Sequence, residues 1–392
     1  MQGAPPSLVV PRLDWDRPPW NRWAFQHIRE ILPTAEVWRG TGAASVLETA
    51  PLELGSLAFT RTDGATQTVD QLLEETYTDG FLVAHRGRIV AERYFNGMGA
   101  RTLHLSQSMS KSVTGAVAGV LMTQGLLDPA APLTAYIPEL AHTAYAGATL
   151  AHVLDMTSGV AYSEDYTDRY SEVGQTDVAS GWKPIPPDSD PAFRWPRHMF
   201  EQILGLTRLE AEHGSRFLYR SIETDVLAFC MERVSGLRLP ELVSRYLWQP
   251  MGAEESACFT LDPAGYALAS GSLNATLRDY ARFGLVILNG GAFNGQQILP
   301  PAWVADIRRG PHGLANDYLR LSLPNGCYRN QFWVEDVTRE TVLCRGVFGQ
   351  LIYIAPEHDL VVVKLSTFPD FLNLTYSLDT RRAIGAIIEA LT

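Results

Sequence analysis

Near the C-terminus the chain reads Leu351-Ile352-Tyr353-Ile354, then Ala355-Pro356-Glu357-His358-Asp359, then Leu360-Val361-Val362-Val363-Lys364-Leu365. Two apolar, β-branched runs around a turn-forming segment specify an antiparallel hairpin. A second hairpin pattern stands far upstream: Phe81-Leu82-Val83-Ala84, the turn Arg86-Gly87-Arg88, and the run from Ile89 to Phe95. Between the two, the stretch from about Thr149 to Leu247 reads mostly as helices and loops. Trp182-Lys183-Pro184-Ile185-Pro186-Pro187 within it is a proline-stiffened loop. Strands at both ends with helices between predict an α+β fold whose antiparallel sheet is assembled from both halves of the chain. The expected organisation is an arm over residues 1–60 lying on the body and an α/β region made of 61–148 and 250–392. A helical region over 149–249 completes one catalytic unit. Residues 381–391 read as a closing helix.

After the first hairpin comes Ser108-Met109-Ser110-Lys111, at the head of the apolar, small-residue run Val113 to Leu121. A serine hydroxyl is a weak nucleophile until a neighbouring base takes its proton. Positions three apart on a helix share a face, so Lys111 can reach Ser108 without help from the rest of the fold. A helix start also offers backbone N–H groups where an oxyanion develops. The chain has 32 basic residues, yet Lys111, Lys183 and Lys364 are its only lysines. A lysine kept here points to chemistry that arginine cannot do, such as losing a proton near neutral pH. Four residues alone remain a weak motif.

Composition narrows the rest. The length of 392 residues allows an ample core, and a net charge of −11 argues against nucleic acid and anionic membrane as partners. No apolar run approaches the ~20 residues that cross a bilayer. The start, Met1-Gln2-Gly3-Ala4-Pro5-Pro6, lacks the basic and apolar regions of a signal peptide, so the expected location is cytoplasmic. Cys230, Cys258, Cys327 and Cys344 are scattered and expected to be free thiols. The histidines show no metal-ligand spacing, so no metal and no cofactor is expected. No Gly-x-Ser-x-Gly elbow occurs, which disfavours a Ser–His–Asp hydrolase.

A serine–lysine site needs a group that carries the proton to the leaving atom. Tyr219-Arg220-Ser221 offers one, since a phenol beside an ammonium can act as base and then acid. Ser-x-x-Lys, then Tyr-x-Ser, then a C-terminal hairpin resembles the serine β-lactamase and penicillin-binding family, above all its class C and carboxylesterase branch. Val153-Leu154-Asp155-Met156-Thr157-Ser158-Gly159 and Asp279-Tyr280-Ala281-Arg282-Phe283-Gly284 are similar to further family segments. Asn21 to Phe25, Glu164-Asp165-Tyr166, Ser171 to Val173, Gly181-Trp182 and Tyr219 to Ala228 resemble the members that hydrolyse short ω-amino-acid (nylon) oligomers.

That resemblance implies a β-lactamase-like fold and a serine amidase with esterase side activity on short acyl esters. Ser108, Lys111 and Tyr219 would be catalytic, with the backbone N–H groups of Ser108 and Val347 as oxyanion hole. Tyr166 would face the substrate, Asp177 would recognise its amino end, and Trp182 would close the pocket. Ser270 stands where relatives have a polar residue near substrate, and Phe348 where they carry a histidine. The family's Lys-Thr-Gly is missing. It falls on Cys344-Arg345-Gly346 in one register and on Val347-Phe348-Gly349 in another, and Arg345 could partly substitute for it. The expected partner is a small amide or ester, with a homodimer left open. A carboxylesterase of the same fold, a β-lactamase and a non-catalytic binding protein are the alternatives.

Overall fold

The computed structural model describes residues 9–309 and 317–392, so Met1 to Leu8, part of the expected arm, lies outside it. Its main sheet has seven antiparallel strands. These are, in chain order, β2 (Thr78–His85), β3 (Arg88–Tyr94), β7 (Cys327–Arg329), β8 (Phe332–Asp336), β9 (Thr341–Gly346), β10 (Gln350–Ala355) and β11 (Leu360–Ser366). Their spatial order is β7-β8-β9-β10-β11-β2-β3. The two hairpins predicted from sequence therefore meet inside one sheet, where β11 pairs with β2, Val362 opposite Val83. The continuous apolar run of β11 follows from burial on both faces. Val361 and Val363 belong to one apolar cluster, and Leu360 and Val362 to the other.

One face of the sheet is covered by helices α1 (Met109–Thr123) and α4 (Leu277–Leu288), the other by α5 (Leu374–Leu391). Glycines let the first two approach closely. A Cβ on Gly284 would lie 2.6 Å from Val361, and one on Gly115 would lie 2.5 Å from the Asn330 carbonyl oxygen. The closing helix starts earlier than expected. Asn373 caps it by accepting a hydrogen bond from the Tyr376 amide at 2.9 Å, and its first turns carry Thr375, Tyr376 and Ser377, poor helix formers that hid it.

The region between the sheet segments holds α2 (Glu172–Ala179) and α3 (Ile222–Ser235) with long connections. The N-terminal segment does more than lie over the body. Its β1 (Thr34–Val37) pairs with β5 (Ala257–Thr260) in a second sheet of order β1-β5-β6-β4, where β4 is His104–Leu105 and β6 is Asn274–Ala275. Trp15 and Phe25 of the same segment are wholly buried. The four cysteines are free and buried. No helix among the described residues is long and apolar enough to cross a membrane.

Candidate active site

Ser108 sits where three elements converge. The chain leaves β4, takes a left-handed step at Gln107 (φ +48°), and enters α1 with Ser108 as the residue before its first turn. Three residues on, the Lys111 ammonium donates to Ser108 Oγ at 2.9 Å and to the Ser270 carbonyl oxygen at 2.6 Å. Lys111 is 1% exposed. Burial lowers its pKa to about 8, while the nearby carboxylates of Glu164 and Asp225 hold it up. Near neutral pH a fraction of Lys111 is thus unprotonated and able to accept the Ser108 proton.

Tyr219 reaches the same place from the connection before α3. Lys111 Nζ lies 5.2 Å from its ring centroid, and the ring is stacked on Trp333 at 5.2 Å and edge-on to Tyr328 at 5.8 Å. The structure thus brings Ser108, Lys111 and Tyr219 together. Ser108 and Tyr219 open onto a cavity of about 310 Å³.

The end of β9 forms the facing wall. A Cβ on Gly346 would lie 2.5 Å from the Ser106 carbonyl oxygen, so only glycine allows this strand so close to the nucleophile. Val347 follows and also lines the cavity. Cys344-Arg345-Gly346 is therefore the stretch that passes the nucleophile, and Val347-Phe348-Gly349 is the turn after it. Arg345 lines the cavity with its guanidinium 5.4 Å from the Trp333 ring centroid, and no carboxylate among the described residues pairs with it. Tyr166 lines the cavity as well, donating to Glu164 at 2.6 Å and packing on Phe371 at 5.2 Å.

Four residues expected at substrate lie elsewhere. Asp177 is in an ion pair with Lys183 at 2.9 Å, an ammonium that Asp16 also contacts at 2.8 Å, and it does not line the cavity. Trp182 is buried, its indole N–H donating to Thr260 and its ring edge-on to Trp15 at 5.2 Å. Ser270 lies behind Lys111, which its carbonyl oxygen holds. Phe348 turns its ring into the core, edge-on to Phe25 at 5.2 Å. For Trp182 and Phe348 a partner distant in sequence claims the side chain.

Two acids were missed. Glu164 lines the cavity and accepts from the Ser221 amide and from Tyr166. Asp225 is buried beneath the site and accepts from the amides of Ala269 and Ser270 at 2.8 and 3.3 Å, fixing the turn that offers Lys111 its carbonyl oxygen. Burial pushes its carboxyl up to about 7, which the Lys111 charge opposes. The signal was present: an acid heading the apolar run Val226-Leu227-Ala228-Phe229 lies on a helix with no wet face there. Among the described residues no cluster of three or more His, Cys, Asp or Glu side chains could hold a metal ion.

The chain is similar to known proteins along nearly its whole length. The chain is 38% identical over 388 residues to a 6-aminohexanoate-dimer hydrolase of Paenarthrobacter ureafaciens, covering 96% of this chain and 95% of that protein. Among solved structures, a candidate 6-aminohexanoate-dimer hydrolase from Bacillus anthracis superposes with a TM-score of 0.89 at 30% identity, covering 99% of this chain and 98% of that one. EstCE1, a hydrolase with promiscuous acyltransferase activity, shares the fold at a TM-score of 0.63 and 19% identity, covering 80% of this chain and 96% of its own. A family model described as Beta-lactamase matches residues 65–384. By that match, which spans most of its length, the chain belongs to the β-lactamase family, and it is a serine hydrolase.

Proposed function

We propose that this enzyme cleaves the amide bonds of short ω-amino-acid oligomers, the 6-aminohexanoate dimer among them, through an acyl-enzyme on Ser108, and that it also hydrolyses short acyl esters. The observation carrying this reading is the contact between the buried Lys111 ammonium and Ser108 Oγ at the mouth of an apolar cavity. Lys111, unprotonated, takes the Ser108 proton as Oγ bonds to the substrate carbonyl carbon. The carbonyl oxygen becomes an oxyanion facing the N–H groups of Ser108 and Val347. Tyr219, beside Lys111, passes that proton to the nitrogen as the C–N bond breaks, which amides require and activated esters do not. Water then attacks the ester on Ser108 by the same steps in reverse.

The cavity wall supports a substrate of methylene chains with charged ends. Trp333, Leu343, Phe371 and Leu372 supply apolar surface, Arg345 faces a carboxylate, and Glu164 is the acid on the wall for an ammonium. Incubation with the 6-aminohexanoate linear dimer should release monomer, and an activated ester should add its acyl mass to the Ser108 peptide. Arg345→Met should lower kcat/KM for the dimer by about 10-fold or more while sparing a neutral nitrophenyl ester, since one charge-assisted contact is lost. No monomer from the dimer, with rapid ester turnover, would leave a carboxylesterase.

A further inference from the structure

The turn that carries Val347 is held in a conformation its sequence does not favour. Phe348 sits at φ +61° and ψ +18°, a left-handed backbone that a residue with a Cβ rarely adopts. Contacts from outside the turn impose it. The Phe348 amide donates to the Phe371 carbonyl oxygen at 2.9 Å, and its own carbonyl oxygen accepts from the Phe368 amide at 3.2 Å. Its ring, 7% exposed, meets the Phe25 ring edge-on at 85°.

Phe25 belongs to the N-terminal segment, and it touches the other side of the site too. Its carbonyl oxygen accepts from the Leu105 amide at 2.9 Å, three residues before Ser108. Its ring is also edge-on to His104 at 5.9 Å. Nearby, Asn21 donates to the Phe368 carbonyl oxygen at 3.0 Å, bracing the strand end beneath the turn. One wholly buried residue therefore contacts both the stretch leading into Ser108 and the turn leading out of Val347.

We infer that Phe25 is a positioning residue of the oxyanion hole, acting through Phe348 to fix the spacing of the Ser108 and Val347 amides. The inference rests on those two amides forming the hole. Packing contacts set such distances because a close-packed core deforms little, and donors displaced by a fraction of an ångström lose much of their hold on an oxyanion. The segment Asn21 to Phe25, far from the nucleophile in sequence, thereby acquires a reason to be where it is.

The test measures a transition-state contact apart from binding. Phe25→Ala should lower kcat on a nitrophenyl butyrate by roughly 10- to 100-fold with KM within about twofold. Affinity for an alkyl boronic acid, whose tetrahedral adduct places an oxygen in the hole, should fall by a similar factor. Phe25→Leu, which keeps most of the volume, should recover part of both. Phe348→Gly provides a second route if Phe25→Ala fails to fold. It relieves the backbone cost but removes the ring, and the same loss of kcat is expected. Folded variants with unchanged kcat and boronate affinity, or with KM alone altered, would overturn the inference. Failure of an activated ester to acylate Ser108 in the parent enzyme would instead remove the reading beneath it.

Discussion

Two lysines of this chain are wholly buried against a serine hydroxyl. Lys111 donates to Ser108, and Lys364, on the interior strand β11, donates to Ser366. Burial lowers both, Lys111 to about 8 and Lys364 to about 7. Their local chemistry is nearly the same. The difference lies in the serines: Ser108 lines a cavity at a helix start, whereas Ser366 is 0% exposed, with its backbone bonded to the Gln350 side chain. Lys364 faces the Phe368 ring at 4.9 Å, with Asp79 the nearby charge that raises its pKa again. A depressed lysine beside a serine is therefore not enough to mark a site, because desolvation alone produces it. Access for substrate and amides aimed at a developing charge make the distinction.

The largest expected effect tests that distinction directly. Lys111→Met should lower kcat/KM on a nitrophenyl ester by ~10³-fold or more, and Lys111→Arg by nearly as much, since arginine keeps the charge but cannot accept the proton. Lys364→Met should leave the same rate within about threefold, because it meets no reacting atom. Comparable losses at the two positions would break the comparison.

The pair should also separate by pH. If Lys111 must be unprotonated to act, kcat/KM rises with pH through an apparent pKa of about 8, and Lys111→Arg abolishes that limb. Lys364 acts on stability instead. Its folded pKa lies near 7 and its unfolded value near the ordinary lysine range, so between them the unfolded chain binds more protons. Stability from this group therefore rises with pH from about 7 to about 10.5, and its full cost applies below 7. Lys364→Met removes that cost, on the order of 4–5 kcal/mol less the lost bond to Ser366, so thermal stability should increase at pH 7 by a few degrees. The gain should shrink toward pH 10. A melting temperature that falls in the variant at pH 7 would show the buried ammonium to be held by more than it costs.

Much of this was legible in the sequence where the structure depends on local spacing. The strands 78–94 and 350–366 announced themselves through period and turn residues, and Ser108 and Lys111 through a three-residue step on a helix. The walls of the site were less legible because long-range contacts decide them. Nothing near Phe348 in sequence says that Phe25 will take its ring, and the pairing of β1 with β5 joins residues more than two hundred positions apart. Resemblance to relatives points to segments and not to the direction of their side chains. Glu164 and Asp225 lay inside matched stretches and still went unassigned, whereas Trp182 was assigned to the pocket and lies in the core.

The third lysine gives the smallest expected effect. Lys183 is held between Asp16 and Asp177 at 2.8 and 2.9 Å, and the loop around it is tied to the N-terminal segment by Trp15, whose indole N–H donates to the Trp182 carbonyl oxygen at 2.9 Å. Asp177 thus already has an ammonium partner, and with its side chain 34% exposed the pair is partly screened by water. Removing the charge in Asp177→Asn leaves Lys183 with Asp16, so the loop keeps one of its two ionic ties. Turnover of the amine-ended dimer and of its neutral N-acetyl analogue should then change together, by less than about threefold. Glu164→Gln, on the cavity wall, should by contrast lower the amine-ended substrate selectively. A selective loss in Asp177→Asn would reverse that assignment: it would mean that substrate displaces Lys183 onto Asp16 and takes Asp177 for itself. The ratio of the two substrates' kcat/KM values decides between the outcomes, because any general loosening of the loop lowers both alike.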